Sequence, residues 1–371
     1  MSGRLRFRIF AHSWISDWNH GNAHFLRGLV RELQQLGHEV HCYEEYGAWS
    51  LTNLIEQEGE LAEQAIEEFR HTFGDLDVRF YERGPEFSDQ MREQLLDADI
   101  VVIHEWNDPE AVNSILALKH ELGFRALLHD THHRAYSNPR ELLQFQLQLF
   151  DGVLAFGEAI RRIYVDGFGI QRTWTFHEAA DVSNFFPRDA DPNIDLLWIG
   201  NWGDEERTRE LMEFLVEPVA SLPEVKTVVY GVRYPEQGKV ALANAGIEYR
   251  GYLPNLEAPD VYAQSALSLH VPRRHYANGL SGVPTIRVFE ALACGSPLLC
   301  APWDDVEQLF TPGEDYLVVN SGAETKAAIE WLLRDEGARR QIASRGHKTI
   351  LQGHTCAHRA QQLVAICGEL S

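Results

Sequence analysis

The sequence predicts an α/β protein made of two doubly wound parallel sheets, each covered by helices on both faces. Short, almost unbroken apolar segments alternate with helical patterns along most of the chain, as is typical of parallel strands buried on both sides. A segment with two prolines and three charges, NFFPRDADPN at 184–193, interrupts this alternation. The alternation then starts again, which indicates a second domain.

Residues 1–186 are predicted to form the first domain, which opens with a βαβ unit. Phe7–Phe10 is an apolar strand, apolar residues recur at helical spacing from Phe25 to Leu36, and the next strand follows Gly37 at once. A right-handed crossover between parallel strands is therefore expected. The other predicted elements of this domain are strands at 39–43, 78–81, 100–104, 126–129 and 152–156, and helices at 51–73 and 88–98.

Residues 187–355 are predicted to form a second domain on the same plan. Its predicted strands are 194–199, 227–230, 247–249, 267–271 and 297–300. Residues 356–371 are predicted as a C-terminal helix and are a candidate to pack back on the first domain. Ligands of open parallel sheets bind beyond the carboxyl ends of the strands, so two such domains facing each other would surround a central cleft.

Composition excludes several classes of function. The 371 residues include 33 Lys and Arg against 55 Asp and Glu, and a formal charge of −22 argues against nucleic acid as a partner. The five cysteines show no CxxC spacing, which disfavours disulfides and a thiolate zinc site. No apolar segment approaches the roughly 20 residues of a spanning helix, so we expect no stable membrane insertion and a cytoplasmic location.

The most informative segment is 279–303, GLSGVPTIRVFEALACGSPLLCAPW. Ser281 or Gly282 suits a helix cap and Pro284 suits the first turn, so a helix is predicted to begin just after Gly282. The N–H groups at such a helix start can bind a diphosphate. Glu290, farther along, could accept hydrogen bonds from the two hydroxyls of a ribose. Pairing of Glu290 with Arg287, one turn back, is the alternative.

These residues resemble a known family. TIRVFEALACGSPLLC with Trp303, together with IGNWGDEER at 199–207, is similar to the nucleotide-sugar segment of glycosyltransferases of the GT-B fold. The likeness is to the group related to the spore-maturation protein CgeB, with a C-terminal domain of the glycosyltransferase family 1 or 4 type. It covers most of residues 194–345, whereas the first domain matches only in layout.

The resemblance implies roles for residues of the second domain. Glu290 would hold the donor ribose, the turn from Ser281 to Ile286 would hold the diphosphate, and Arg207 would help to neutralise it. A solvated Arg207 near Glu205 and Glu206 is the alternative for that residue. The predicted donor-binding residues are Gly200, Asn201, Arg207, Tyr252, Arg273, Ser281, Gly282, Thr285, Ile286 and Glu290, joined from the first domain by Gly21 and Asn22. Gly282 stands where many retaining members have a glutamate, so the stereochemistry is left open.

Two loops of the first domain are predicted to carry the catalytic groups. In DWNHGNAH, 17–24, His20 is positioned like the histidine base of some inverting relatives, and Asp17 is the other candidate. A turn held by polar side chains is the structural alternative for this loop. In HDTHHRAY, 129–136, His129 matches a histidine that contacts the donor sugar in relatives. Glu105 and Trp106 follow another strand and are candidates to line the acceptor side.

A metal site is the alternative interpretation of the second loop. His129, Asp130, His132 and His133 offer imidazoles and a carboxylate within five residues. Adjacent histidines seldom present both rings to one ion, and the resemblance implies catalysis without bound metal. We therefore expect no metal and no cofactor.

The predicted function is transfer of a sugar from a nucleoside diphosphate to an acceptor hydroxyl, a hexosyltransferase-type activity of class EC 2.4. The expected donor is linked to UDP, GDP or dTDP, and the acceptor is a glycan, a lipid-linked molecule, a protein or a small molecule. Alternatives are a non-catalytic GT-B-like partner that binds a nucleotide or glycan, a sugar-nucleotide epimerase of the same fold, and a metal hydrolase. Oligomeric state is not encoded in any recognisable pattern.

Overall fold

The computed structural model describes residues 3–203 and 205–370, which divide into two compact units. The first unit contains the residues up to Glu178 and the segment from Cys356 onward, and the second is Ala179–Thr355. The prediction placed this boundary at residue 186. Each unit is a parallel sheet with helices, so the predicted fold class is confirmed.

The first unit is built on a seven-stranded parallel sheet in the order β3-β2-β1-β4-β5-β6-β7. Its strands are β1 Arg6–Phe10, β2 Glu39–Glu45, β3 Asp77–Tyr81, β4 Ile100–His104, β5 Arg125–Asp130, β6 Gly152–Ala155 and β7 Thr173–Thr175. The edge strand β7 was not predicted. Central strand β4 is buried along its whole length, as expected for a strand covered on both faces.

The helices of this unit follow the predicted pattern with one difference. They are α1 Ala23–Gln35, α2 Trp49–Glu58, α3 Glu60–Thr72, α4 Phe87–Leu95, α5 Pro109–Leu122, α6 Arg134–Ser137, α7 Pro139–Leu142 and α8 Glu158–Arg162. A 3-10 turn at Leu147–Leu149 precedes β6, and a π-helical turn, Ile163–Gly167, continues α8. The single helix predicted over 51–73 is wrong, because Gly59 takes φ 55° and separates α2 from α3.

The second unit has a six-stranded parallel sheet in the order β10-β9-β8-β11-β12-β13. Its strands are β8 Ile194–Ile199, β9 Thr227–Tyr230, β10 Glu248–Tyr249, β11 Ser265–His270, β12 Leu298–Cys300 and β13 Leu317–Val318. Its helices are α9 Thr208–Leu211, α10 Glu217–Ala220, α11 Glu236–Asn244, α12 Ala258–Ala263, α13 Arg274–Asn278, α14 Ile286–Ala293, α15 Gly322–Arg334 and α16 Glu336–Gly353. A π-helical turn, Met212–Val216, joins α9 to α10, and a 3-10 turn, Asn255–Glu257, precedes α12.

The C-terminal helix α17, Cys356–Glu369, belongs to the first unit, where it packs against α1. Arg359 is buried and its Nε donates to the His177 carbonyl at 2.8 Å, while Gln362 Nε2 donates to the Thr175 carbonyl at 2.8 Å. Apolar side chains of α17, among them Leu363 and Ile366, complete the core of this unit. Within 3–203 and 205–370, no helix combines the length and apolar character needed to cross a membrane.

Strand order determines where each unit can bind a ligand. The order reverses direction between β1 and β4 in the first sheet and between β8 and β11 in the second. A crevice opens at the carboxyl ends of the strands where such a reversal occurs. The loops that follow these four strands are therefore the candidate site of each unit.

Candidate functional site

In the second unit, the loops after β8 and β9 are hydrogen-bonded to each other and pack closely. The Gly200 N–H donates to the Tyr230 carbonyl at 2.9 Å, and Asn201 Oδ1 accepts from the Val232 N–H at 3.2 Å. Gly231 has φ +155°, and a Cβ there would lie 2.1 Å from the Gly200 carbonyl oxygen. Gly200 and Asn201 thus hold the β8 loop in shape, while Tyr252 is buried beyond β10.

Arg207 lies at the end of the same loop, where α9 begins. Its guanidinium lies 5.5 Å from the centroid of the Trp198 ring, and its Nε is buried without a hydrogen-bond acceptor in the described part of the chain. Burial, with the charge of Arg273 next in size, lowers the pKa of Arg207 to about 9, so the group still carries its charge at neutral pH. A charged group in this position is expected to attract an anion.

Two further groups lie close to Arg207. Arg273 Nη1 pairs with Glu206 Oε2 at 3.1 Å and lies at the start of α13. His270, the last residue of β11, contacts Cys300 Sγ through Nδ1 at 3.0 Å and Thr285 Oγ1 through Nε2 at 2.9 Å. Burial, then Arg207, lowers the pKa of His270 to about 3, so the ring is neutral. His270 was missed because a lone histidine in an apolar strand looks like a core residue.

The helix expected just after Gly282 begins later, so this part of the prediction is wrong. Thr285 has extended backbone angles, φ −85° and ψ 161°, and Ile286 is the first helical residue of α14. Gly282 adopts φ +88° in a turn, and a Cβ there would lie 2.8 Å from Val306 Cγ2. Ser281 and Pro284 therefore lie in a loop before the helix, and the turn at Gly282 packs against residues 306–307.

Glu290 is fully buried on α14. Its Oε2 accepts hydrogen bonds from Arg287 Nη1 and, at 3.4 Å, from the Tyr262 hydroxyl. This is the pairing with Arg287 that the sequence analysis held open as the alternative. The ribose assignment stays a prediction, and it requires this pair to rearrange when a nucleoside binds.

In the first unit, Asp17 stabilises the loop after β1. Its Oδ2 lies 3.2 Å from Arg27 Nη1, and both side chains are buried. Arg27 also donates to the carbonyls of Trp14 and Ile15, each at 2.9 Å. These contacts correspond to the structural alternative for this loop. In the same loop, after Gly21, Asn22 Nδ2 donates to Thr131 Oγ1 at 2.6 Å.

Four imidazoles meet where the strand order of the first sheet reverses. The ring centroids of His12 and His20 are 3.9 Å apart, those of His12 and His104 are 5.6 Å apart, and those of His104 and His129 are 5.4 Å apart. Burial lowers the pKa of His12 and of His129 to about 3 and that of His20 and His104 well below the usual value. All four rings are neutral at physiological pH. His20 and His129 were predicted, whereas His12, directly after β1, was missed.

A buried hydrogen-bonded chain adjoins these rings. Thr131 Oγ1 lies 3.1 Å from Glu105 Oε1, and His104 Nε2 lies 3.0 Å from the same hydroxyl. Burial and the nearby Asp130 raise the pKa of Glu105, and burial raises that of Asp130. Glu105 is therefore a carboxyl that tends to hold its proton near neutral pH.

The residues of the metal alternative point in different directions. His129 and Asp130 are successive strand residues and face opposite sides of the sheet. Asp130 accepts from the Tyr164 hydroxyl at 2.8 Å and from the His132 N–H at 3.0 Å. His133 Nδ1 lies 2.7 Å from Ser137 Oγ. These contacts occupy the carboxylate and one imidazole without bringing the four groups together.

Two cavities differ in their relation to the predicted residues. One of about 540 Å³ in the first unit is lined by His12, Glu105, Trp106 and Arg134, among others. The other, of about 550 Å³ in the second unit, is lined by residues such as Arg209, Glu213 and Lys326, and no predicted site residue lines it. The cavity of the first unit is thus the one that coincides with the candidate acceptor side.

Comparison with solved structures identifies the fold. A glycosyltransferase from Rickettsia africae has a TM-score of 0.69 at 12% identity, covering 100% of this chain and 99% of that one. HepE from Anabaena, solved in complex with UDP-glucose, has a TM-score of 0.69 at 13% identity over 99% of this chain and 100% of that one. Sucrose-phosphate synthase from Thermosynechococcus elongatus has a TM-score of 0.68 at 14% identity over 99% of both chains. The chain has the GT-B fold.

The sequence of this GT-B protein adds family evidence. Residues 207–365 match the family described as Glycosyl transferase-like. No curated protein sequence matches the chain. The resemblance to GT-B glycosyltransferases noted from TIRVFEALACGSPLLC is confirmed, whereas the closer likeness to the CgeB group stays a prediction. The individual site residues also stay predictions.

Proposed function

We propose that this GT-B protein is a glycosyltransferase that moves a sugar from a nucleoside diphosphate to an acceptor hydroxyl, with the donor bound by the second unit. The observation that carries the proposal is Arg207. It is a charged group with a buried Nε, no carboxylate paired to it in the described residues, and a position where the strand order reverses. A diphosphate supplies the anion that such a group requires.

The physical basis of catalysis would be charge stabilisation of the leaving diphosphate. Negative charge grows on that group in the transition state, and fixed cations or N–H donors oppose it without reorganisation. Arg207, Arg273 and the start of α14 at Ile286 provide such groups within one unit. We propose that they act without a divalent ion. HepE, which has this fold, has been solved with UDP-glucose, so a uridine donor is the first to test.

Orientation of the acceptor hydroxyl would fall to the imidazoles of the first unit. Asp17 is committed to Arg27, and His129 is buried between aromatic rings of Phe25 and Phe176. His12 instead lines the 540 Å³ cavity, and its Nδ1 has no hydrogen-bond partner among the described residues. We propose that His12, with His20 beside it, accepts a hydrogen bond from the acceptor hydroxyl, because its ring is neutral and its lowered pKa makes it a weak base.

The test is incubation of the full chain with UDP-, GDP- and dTDP-sugars and a mixture of acceptors, with and without chelator. Release of nucleoside diphosphate together with a glycosylated acceptor, unchanged by chelator, is the expected result. Absence of any donor consumption would contradict the enzyme, and conversion of the donor sugar alone would identify an epimerase. Loss of transfer in chelator, restored by a divalent ion, would overturn the metal-independent part.

A further inference from the structure

The cavity of the first unit combines features that select a particular kind of ligand. It measures about 540 Å³, and its lining residues include Trp49, Trp106, Glu105 and His12. These residues follow β1, β2 and β4 or begin α2, so they come from adjacent strands of the sheet.

Charge argues against an anionic ligand. The two arginines that line the cavity are already neutralised: Arg83 pairs with Glu45 at 2.5 Å and with Asp108 at 2.8 Å. Arg134 pairs with Glu141 at 3.2 Å and donates to the Glu105 carbonyl at 2.6 Å. A phosphate or carboxylate in this cavity would face Glu45, Asp108 and Glu141, and both lining arginines already have carboxylate partners. The ligand therefore carries no negative charge at this point.

Trp106 offers a rigid aromatic surface. Its indole is 43% exposed, the Arg134 guanidinium lies 3.9 Å from the ring centroid, and the His132 ring packs edge-on at 4.9 Å. Trp49 is 50% exposed and packs edge-on against Trp18 at 5.3 Å. Large aromatic rings left exposed but held in place provide a contact surface at little entropic cost. The C–H face of a pyranose ring is a neutral, partly apolar surface that stacks on such an indole.

Glu105 and His12 offer hydrogen bonds for hydroxyl groups. Glu105 is fully buried, its Oε1 accepts from Thr131, and its Oε2 has no hydrogen-bond partner in the described chain, although His104 Nε2 lies 3.3 Å away. His12 Nδ1 likewise has no such partner. Buried polar atoms without partners are costly, and ligand hydroxyls can satisfy them. A hydroxyl can both donate and accept, which suits a carboxyl and a neutral imidazole.

We propose that this cavity is a saccharide site, and that the group glycosylated by this protein is a hydroxyl of a sugar without negative charge. The second half of this statement rests on the proposed transferase function, whereas binding of the saccharide does not. Stacking on Trp106 holds the sugar ring, and Glu105 and His12 bind its hydroxyls. An acidic sugar would place its charge near the carboxylates of Glu45, Asp108 and Glu141.

The experiment measures saccharide binding to the full chain without any donor present. Methyl glucosides, methyl mannosides, maltose and N-acetylglucosamine are screened by saturation-transfer NMR, and dissociation constants are then measured by titration calorimetry. Glucuronic acid and glucosamine test the charge argument. The variants are Trp106→Ala and Trp106→Phe, with Trp331→Ala as matched control, because Trp331 is similarly exposed, at 47%, on α15 of the second unit.

The expected result is binding of at least one neutral saccharide that weakens about tenfold or more in Trp106→Ala, less in Trp106→Phe, and not in Trp331→Ala. Equal binding by wild type and Trp106→Ala, tighter binding of glucuronic acid than of the neutral sugars, or no saccharide binding at all would overturn the proposal. UDP affinity of each variant is measured in parallel. Saccharide binding without any transfer would contradict the proposed function while leaving this site intact, and transfer to a non-sugar acceptor would do the reverse.

Discussion

Arg207 differs from its neighbours Arg273 and Arg274 in its hydrogen-bonding environment. Arg273 and Arg274 are each paired with a glutamate, Glu206 and Glu210, whereas Arg207 packs against the Trp198 ring with its Nε buried. A half-buried cation that has a buried Nε and no carboxylate partner within residues 3–203 and 205–370 costs free energy unless an anion joins it. This cost is offset when a diphosphate binds, so Arg207 should contribute to affinity rather than to folding.

We therefore expect Arg207→Ala to weaken binding of UDP, or of whichever of GDP and dTDP binds best, by about ten- to a hundredfold, since hydrogen bonds to charged groups contribute about 1.5–3 kcal/mol. Titration calorimetry measures the effect. The matched control is Arg209→Ala, two positions along the chain and exposed. Equal affinity of the Arg207 variant and wild type, or an equal loss in both variants, would contradict the assignment.

For single residues, the sequence predicts which side chains lie near strand ends better than it predicts which side chains they contact. Trp106 was identified because it follows a strand, and strand ends are readable from apolar patterns, whereas Arg207 was identified through the family resemblance. The state of Glu290 could not be decided, because it depends on Tyr262, 28 positions earlier in the chain, whose hydroxyl helps Arg287 to hold the carboxylate. His12 was missed for a similar reason, since only the register of β1 beside β4 brings it next to His104.

Among the elements, α14 contains the N-terminus that we assign to the proposed donor site, and it packs against α16. Gly346 lies on α16, and a Cβ there would lie 2.6 Å from Leu292 Cδ2 and 2.7 Å from the Asp315 carbonyl oxygen. The helices approach closely only because this residue has no side chain. A backbone oxygen cannot move aside as a flexible side chain would.

Gly346→Ala should consequently destabilise the second unit by about 1–3 kcal/mol, although alanine normally favours a helix over glycine by about 1 kcal/mol. The control, Gly353→Ala on the same helix, has no heavy atom within 4 Å of the added Cβ and should leave stability unchanged or slightly higher. Urea unfolding measures both free energies. The packing argument fails if the two variants are equally stable.

The buried histidines and carboxyls near the carboxyl ends of the first sheet's strands should make the free energy of unfolding depend on pH. The histidines His12, His20, His104 and His129 have lowered pKa values in the folded state, about 3 for His12 and His129, so below about pH 6.5 the unfolded chain binds protons that the folded chain does not. Stability present above pH 6.5 is lost as the pH falls. The raised pKa values of Glu105 and Asp130 act in the opposite direction, because the folded state keeps those two protons as the pH rises.

His129→Phe isolates one contribution, because the ring lies among Phe25 and Phe176 and phenylalanine does not titrate. Between pH 6 and 5 this variant should lose less stability than wild type, by about 1 kcal/mol per pH unit. Exposed His120 on α5 provides the control, and His120→Gln should keep the wild-type slope. Chemical unfolding at several pH values measures the slopes, and identical slopes for all three proteins would show that His129 titrates normally.

Strands and helices were predicted correctly where the strand is buried along its whole length. The prediction failed where a strand is short, or where one glycine sets the end of a helix. Strands such as Ile100–His104 are buried throughout and were predicted with their bounds. The edge strands Thr173–Thr175 and Leu317–Val318 have too few residues to form a pattern. The start of α14 was placed too early because Pro284 and Gly282 suit either a first turn or the loop before it, and only packing against Val306 selects the loop.

For the whole molecule, the two units differ in whether they come from one segment of the chain or from two. The second is one continuous segment, Ala179–Thr355, whereas the first is completed by residues from the far end of the chain. The alternation of strands and helices predicts both sheets, but no local pattern states which unit receives the last helix. Its assignment depends on contacts with α1 and with the residues near His177, which are distant in sequence.

Removing residues 356–371 should therefore unfold the first unit selectively. The deletion exposes the apolar surface of α1 that α17 covers and leaves the carbonyls of His177 and Thr175 without the donors Arg359 and Gln362. Hydrogen exchange read by mass spectrometry should then show loss of protection in β1, β4 and β5 with β8 and β11 still protected. The point variant Gln362→Ala, which removes one hydrogen bond and keeps the helix, should retain protection in both units. Uniform loss across the two sheets after the deletion would mean instead that the second unit cannot fold without the first.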